Sequence, residues 1–275
     1  MNHPLAILAS WEFRGAARSR WVLGTAVAFA ALCLAVSLLG MRSLRDLGLT
    51  GVGPVSAGLI NLGILLPAVM GLILGANALV AAREQGVLSV IASQPVSRAS
   101  IVLGSFVGLV GALWTSVLLG FGAAAVVLSG VAKSSDVMPL VSLVAVSLGV
   151  SAACVALGLA MSAFANTRMQ AVAAAITIWF LLALGMDLAL AAIAPAVRMG
   201  PSGLLSMVVL NPLEAGRVLA LLSVSPDGTV LGPFGSYLNE RFGAGGAAGV
   251  LVAALVLWTA VPLILARWAL VHRDV

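Results

Sequence analysis

The sequence predicts an all-α membrane protein: six transmembrane helices, an N-terminal interfacial helix, and re-entrant or interfacial outer helices before the last span. Three observations predict it. First, 62% of the 275 residues are hydrophobic and only 8% are charged, whereas a soluble domain carries about a quarter charged residues. Such a chain cannot cover a water-facing surface. Second, six apolar segments are each long enough to cross a hydrocarbon core of about 30 Å at 1.5 Å per residue. Third, most of the charges fall in the breaks between them and at the chain ends. Every span must be helical, because lipid offers backbone groups no partners.

Residues 4–20 open the chain. Apolar residues fill the first half, and Arg14, Arg18 and Arg20 stand in the second. A helix lying on the membrane surface fits this pattern, although Glu12 and Arg20 project near its apolar side. A simple positively charged flank is the other reading. A cleavable signal peptide does not fit, because the first apolar run is about 20 residues long and follows Trp11, Glu12 and three arginines.

The spans fall at about 21–40, 59–82, 101–128, 138–163, 170–194 and 246–268. One set of short loops and ends holds Arg14, Arg18, Arg20, Arg83, Arg98, Arg168, Arg267 and Arg273. The other holds Arg42, Arg45 and Lys133. The bias places both termini in the cytoplasm. Residues 1–275 read as one membrane domain without internal repeats.

The long outer loop, about 195–245, has internal order. Residues 204–210 are apolar. In Asn211-Pro212-Leu213-Glu214, Asn211 caps a helix, Pro212 takes its first position and Glu214 stands where a capping-box acid would. That helix would carry Leu213, Val218, Leu219 and Leu222, with Glu214 and Arg217 as an (i, i+3) pair. Pro226, Gly228, Pro233 and Gly235 mark turns before the last span.

Several function classes are excluded. The net charge of +5 comes without a basic cluster interleaved with aromatics, so no nucleic-acid partner is indicated. No G-x-x-x-x-G-K-[ST] loop, HExxH or G-x-S-x-G is present, and His3 and His272 sit at the two termini. The chain reads as no enzyme. Scattered methionines and the separate Cys33 and Cys154 offer no metal site.

Within the spans, Asp187 is the one acid. An intramembrane acid is a functional candidate, and an interfacial or capping role and the lining of a pathway both stay open. Asn77 suits an inter-helix hydrogen bond. Gly71–Gly75, Gly104–Gly108 and Gly245–Gly249 are small-xxx-small patterns that suit close packing within the bundle, with contact between two copies as the lesser alternative.

Residues 83–100 form the most informative break. A short helix pattern (Val87, Leu88, Ile91) follows Glu84 and Gly86, and Pro95 ends it before Ser97 and Arg98. A solvated loop needs no apolar face. The membrane surface or a partner protein is expected to bury it.

These residues, Arg83-Glu84-Gln85-Gly86-Val87-Leu88 and then Gln94-Pro95-Val96-Ser97-Arg98 and Ile101-Val102-Leu103-Gly104, resemble the signature of ABC-2-type permeases, roughly E-x-G-T-L, P-[VL]-S/G-R and I-L-x-G-K. Val87 replaces the usual threonine and Ser105 the usual lysine. The resemblance extends over the N-terminal segment, the six spans and the outer loop. Gly48-Leu49-Thr50, the run Ile178 to Leu182 with Asp187-Leu188, and Leu210 to Glu214 with Arg217-Val218-Leu219 narrow it to the permeases of nitrous-oxide-reductase maturation transporters.

The resemblance implies a homodimeric permease of the bacterial cytoplasmic (inner) membrane that binds two copies of a separate ABC ATPase. ATP and Mg would belong to that ATPase, and this chain would carry no cofactor. Glu84, Gly86, Val87, Leu88, Ile91, Pro95 and Arg98 would form the coupling segment. Asp187, Asn211, Pro212, Glu214 and Arg217 are candidates for a pathway or outer gate. A periplasmic accessory protein would engage the outer face. An exporter of a lipid, drug or haem-like molecule is the alternative within the family. A stand-alone channel or secondary transporter is the alternative outside it.

Overall fold

The computed structural model describes residues 4–46, 53–94, 96–129, 138–193, 200–225 and 228–272. These residues are almost wholly helical, and among them there is no strand. In chain order the helices are α1 (Pro4–Ala17), α2 (Arg20–Asp46), α3 (Gly53–Glu84), α4 (Val87–Ala92), α5 (Arg98–Ser129), α6 (Met138–Phe164), α7 (Arg168–Ile193), α8 (Pro201–Val209), α9 (Pro212–Val224) and α10 (Pro233–His272).

Six of them, α2, α3, α5, α6, α7 and α10, are long and apolar enough to cross a membrane. Burial sorts these six into two groups. Half or more of the membrane window is buried in α3, α5 and α6 (50%, 61% and 56%), against 22%, 17% and 22% in α2, α7 and α10. The first group makes the interior. The second is exposed along most of its surface in the single chain.

The spine of the interior is the α3–α6 contact. A side chain at Gly71 would begin 2.8 Å from the Ser151 carbonyl oxygen, and one at Gly75 would overlap the carbonyl of Val155. From the other side, Gly158 leaves no room beside the Leu72 carbonyl. Backbone meets backbone there because the Cβ atoms are missing. The Val80 amide also donates to Ser162 Oγ at 2.8 Å.

Gly104 and Gly108 do the same for α1, which rests on α5 with Leu8, Ala9 and the Glu12 Cβ against them. This explains the poor face separation of α1. Glu12 points into the α5 contact, where Ser105 Oγ donates to its carboxylate at 3.0 Å. Burial pushes the Glu12 carboxyl above its ordinary pKa, and the Ser105 hydrogen bond works against that rise. The third small-xxx-small pattern departs from the expectation. A Cβ at Gly245 or Gly249 would meet nothing within 4 Å among the described residues, so this pair does not pack the bundle.

The expected interfacial segment 4–20 splits. α1 ends at Ala17, and α2 starts at Arg20. Near the last span, Pro233 and Gly235 do not make turns: Pro233 opens α10 and Gly235 lies inside it. The missing N–H of proline costs nothing at a first helical position. The break comes at Gly243, whose φ of 70° is non-helical, so the membrane-crossing part is Gly245–His272. Gly228 does turn the chain, at φ 69°. Pro226 lies outside the described residues.

Candidate functional site

Two polar constellations stand at opposite ends of the bundle. The first surrounds α4. α3 stops because Gly86 takes a left-handed φ of 70° with open space around it. Its backbone conformation, not crowding, demands glycine. The chain then turns directly into α4.

Leu88 of α4 is 1% exposed, and Ile91 and Val96 pack on the same core. The centre of the apolar face is therefore covered by the chain itself, with α3 as the main neighbouring helix. For Leu88 this corrects the expectation that a membrane surface or partner must bury the face, while Ile91 stays only half-buried. What remains outward is a different edge, with Val90 61% exposed and Ser93 and Gln94 exposed beyond it. Val87 is half-buried. Pro95 lies outside the described residues. Ser97 caps α5 by accepting from the Ser100 amide at 3.1 Å. Arg98 opens α5 with Nη1 buried and without a hydrogen-bond partner.

The charged residues before Gly86 reach across the bundle. Arg83 donates to the Ala165 carbonyl at 2.9 Å and to that of Ala163 at 3.5 Å. It caps the end of α6, where free carbonyls concentrate negative charge. Glu84 Oε1 accepts from the Arg168 amide at 2.8 Å. That amide belongs to the first turn of α7, which favours a carboxylate. Arg168 Nε in turn donates to Asn77 Oδ1 at 2.6 Å, while Asn77 Nδ2 donates to its own helix at Ile73. The α6–α7 turn is thus fastened to the end of α3 on both sides.

Sequence reasoning placed Glu84 and Arg98 in a coupling segment but missed Arg83, Asn77 and Arg168 as a unit. One local signal was available. Thr167-Arg168-Met169-Gln170 is a capping-box pattern: Thr167 Oγ1 accepts from the Gln170 amide at 3.3 Å, and Gln170 Oε1 accepts from the Asn166 amide at 3.2 Å. It places the start of α7, though not its neighbour.

The second constellation is the α8–α9 pair, which bends by 115° between the two helices. Asn211 caps α9 as the sequence predicts, its side chain accepting from the amides of Leu213 and Glu214 at 3.0 and 3.5 Å. Its amide nitrogen donates to the Leu182 carbonyl of α7 at 2.6 Å. Pro212 and Leu213 are buried. Glu214 and Arg217 form the expected ion pair at 2.6 Å. Burial pushes the Glu214 carboxyl up, Arg217 opposes this, and the nearby Asp187 adds to the rise. Asp187 itself is exposed, and Arg217 Nε is buried without a partner. The bend is held from α10 by Trp258, which donates to the Val209 carbonyl at 3.0 Å.

So the structure brings Asn211, Pro212, Glu214, Arg217 and Asp187 to one end, and Glu84, Gly86, Val87, Leu88, Ile91 and Arg98 to the other. The ABC-2 family transporter protein model matches residues 6–275. The chain belongs to the ABC-2 transporter family. As an ABC-2 permease it is similar to the probable ABC transporter permease protein NosY of Stutzerimonas stutzeri, at 28% identity over 94% of this chain and 95% of the relative. It is similar also to the protein of the same name from Pseudomonas aeruginosa, at 29% over 98% of both. Membership in this permease family implies an ABC ATPase partner and a membrane setting, and it displaces the stand-alone channel or secondary transporter.

Proposed function

We propose that this ABC-2 permease works as a homodimer in the bacterial inner membrane, with both termini in the cytoplasm, and that α4 is the handle moved by two copies of an ABC ATPase. The observation that carries the proposal is the anchoring of α4. Its inner face is sealed by Leu88 and its root is fastened by Arg83 and Glu84, while Val90 and Gln94 stay outward. A push on that outward edge displaces α3 and the α6–α7 turn rather than a loose loop. For ATP to move the spans, the ATPase must bind one permease conformation better than the other.

The finer assignment is to maturation of the copper site of nitrous oxide reductase. The motif resemblance and the two NosY relatives support it. In that role the α8–α9 end would meet a periplasmic accessory protein. Export of a lipid or other apolar molecule is the second reading. A groove of about 450 Å³ between α6, α9 and α10 favours it, lined by Val146, Leu219, Val252, Leu255 and Leu263 with Thr259 as its one hydroxyl.

Purification of the tagged chain in mild detergent, followed by mass spectrometry, tests the proposal. Recovery of an ABC ATPase together with a periplasmic protein is expected. An ATPase alone favours export. Recovery of neither, from cells expressing both, contradicts the coupling role.

A further inference from the structure

α7 is the least buried of the six spans, with 17% of its membrane window covered. It packs mainly on α3. Among the described residues, three of its polar attachments to neighbouring elements lie along one stripe. At the α4 end, Arg168 is held by Glu84 and Asn77 at 2.8 and 2.6 Å. Eleven positions on, Trp179 Nε1 donates to the Leu65 carbonyl of α3 at 3.2 Å. At Leu182 the carbonyl receives Asn211 of α9. At 100° per residue, positions 168, 179 and 182 fall within about 60° of one another. They span roughly 21 Å of helix. Ala171, Ala175 and Ala183 are buried, and their small side chains suit close approach to a neighbour.

The geometry points to α7 as a strut that makes the α8–α9 pair follow α4, with Glu84 as the positioning residue at its lower end. Glu84 acts there as a hydrogen-bond acceptor for the Arg168 amide, not as a charge offered to the ATPase. Asn77 holds the same arginine from above. Force on α4 enters α7 through its first turn and leaves through the Leu182 carbonyl. The inference rests on the coupling role proposed for α4.

Acceptor and charge separate by substitution. Glu84→Gln keeps an oxygen for the Arg168 amide and removes the charge; Glu84→Ala removes both. Asn77→Leu breaks the second hold. The test uses the full chain with its ATPase in nanodiscs, spin-labelled at the exposed Leu210 and at the exposed Leu38 of α2. The expected result is an ATP-dependent change in the 38–210 distance in the unsubstituted chain and in Glu84→Gln. It should be lost in Glu84→Ala and Asn77→Leu, with the ATPase still co-purifying in every case. An unchanged shift in Glu84→Ala would overturn the strut. So would loss of ATPase binding in either Glu84 variant, which would make Glu84 a docking residue. Absence of the shift in the unsubstituted, ATPase-bound chain overturns the strut and leaves the partnership standing. Failure of the unsubstituted chain to bind any ATPase overturns both.

Discussion

The two ends of the bundle solve the same problem with partners at very different separations. At the α9 end, the cap and the ion pair are local: Asn211 serves amides two and three residues on, and Glu214 pairs with Arg217 three residues on. At the α4 end, Arg83 and Glu84 cap helices that begin or end about 80 residues later. Both ends leave helix termini satisfied. The cap and ion pair of α9 are announced in the order of the residues; the reach of Arg83 and Glu84 is not.

The largest effect should come from the buried face of α4. Leu88→Asp places a carboxylate where Leu88 is 1% exposed, a cost of several kcal/mol. Thermal unfolding of the purified permease should shift down strongly, so lost ATPase binding in this variant would report misfolding and not a docking contact.

Next comes the ion pair at the other end. Glu214→Ala leaves Arg217 partly buried with Nε already unpartnered and should cost about 1–3 kcal/mol. Double substitution with Arg217→Met should recover part of that loss in the same melting assay. Full additivity of the two losses would break the pair as an explanation. Asn211→Ala removes the α9 cap and the tie to Leu182. The cap alone is worth about 0.5–2 kcal/mol, and hydrogen exchange should rise over the first turn of α9.

The smallest stability effect, and the sharpest functional one, belongs to Val90. At 61% exposure, Val90→Glu should change stability by less than about 0.5 kcal/mol. It should nevertheless reduce recovery of the ATPase at least tenfold in a pull-down. Undiminished recovery would move the docking surface off α4.

Much of the fold was legible because lipid leaves so few choices. Length and hydropathy located the six spans, and Asn-Pro-x-Glu located α9 with its cap and ion pair. The positive φ of Gly86 could be guessed from its place after a helix end. What covers Leu88 could not, because periodicity reveals an apolar face without naming its partner. The link from Glu84 to Arg168 was hidden for a related reason. Hydrogen bonds to a distant helix terminus depend on how helices are placed, and the small-residue contact of Gly75 with Gly158 sets that placement. Gly245–Gly249 meets no neighbour within the described chain, which makes the converse point: small spacing permits close approach inside a bundle without requiring it.

The most direct test of the account is site-specific photo-crosslinking in cells that express the permease with its ATPase. One crosslinker replaces Val90 on α4 and another replaces Leu210 at the α8–α9 bend. An adduct with the ABC ATPase is expected from position 90 and none from position 210. An ATPase adduct from position 210, or none from position 90, would contradict it.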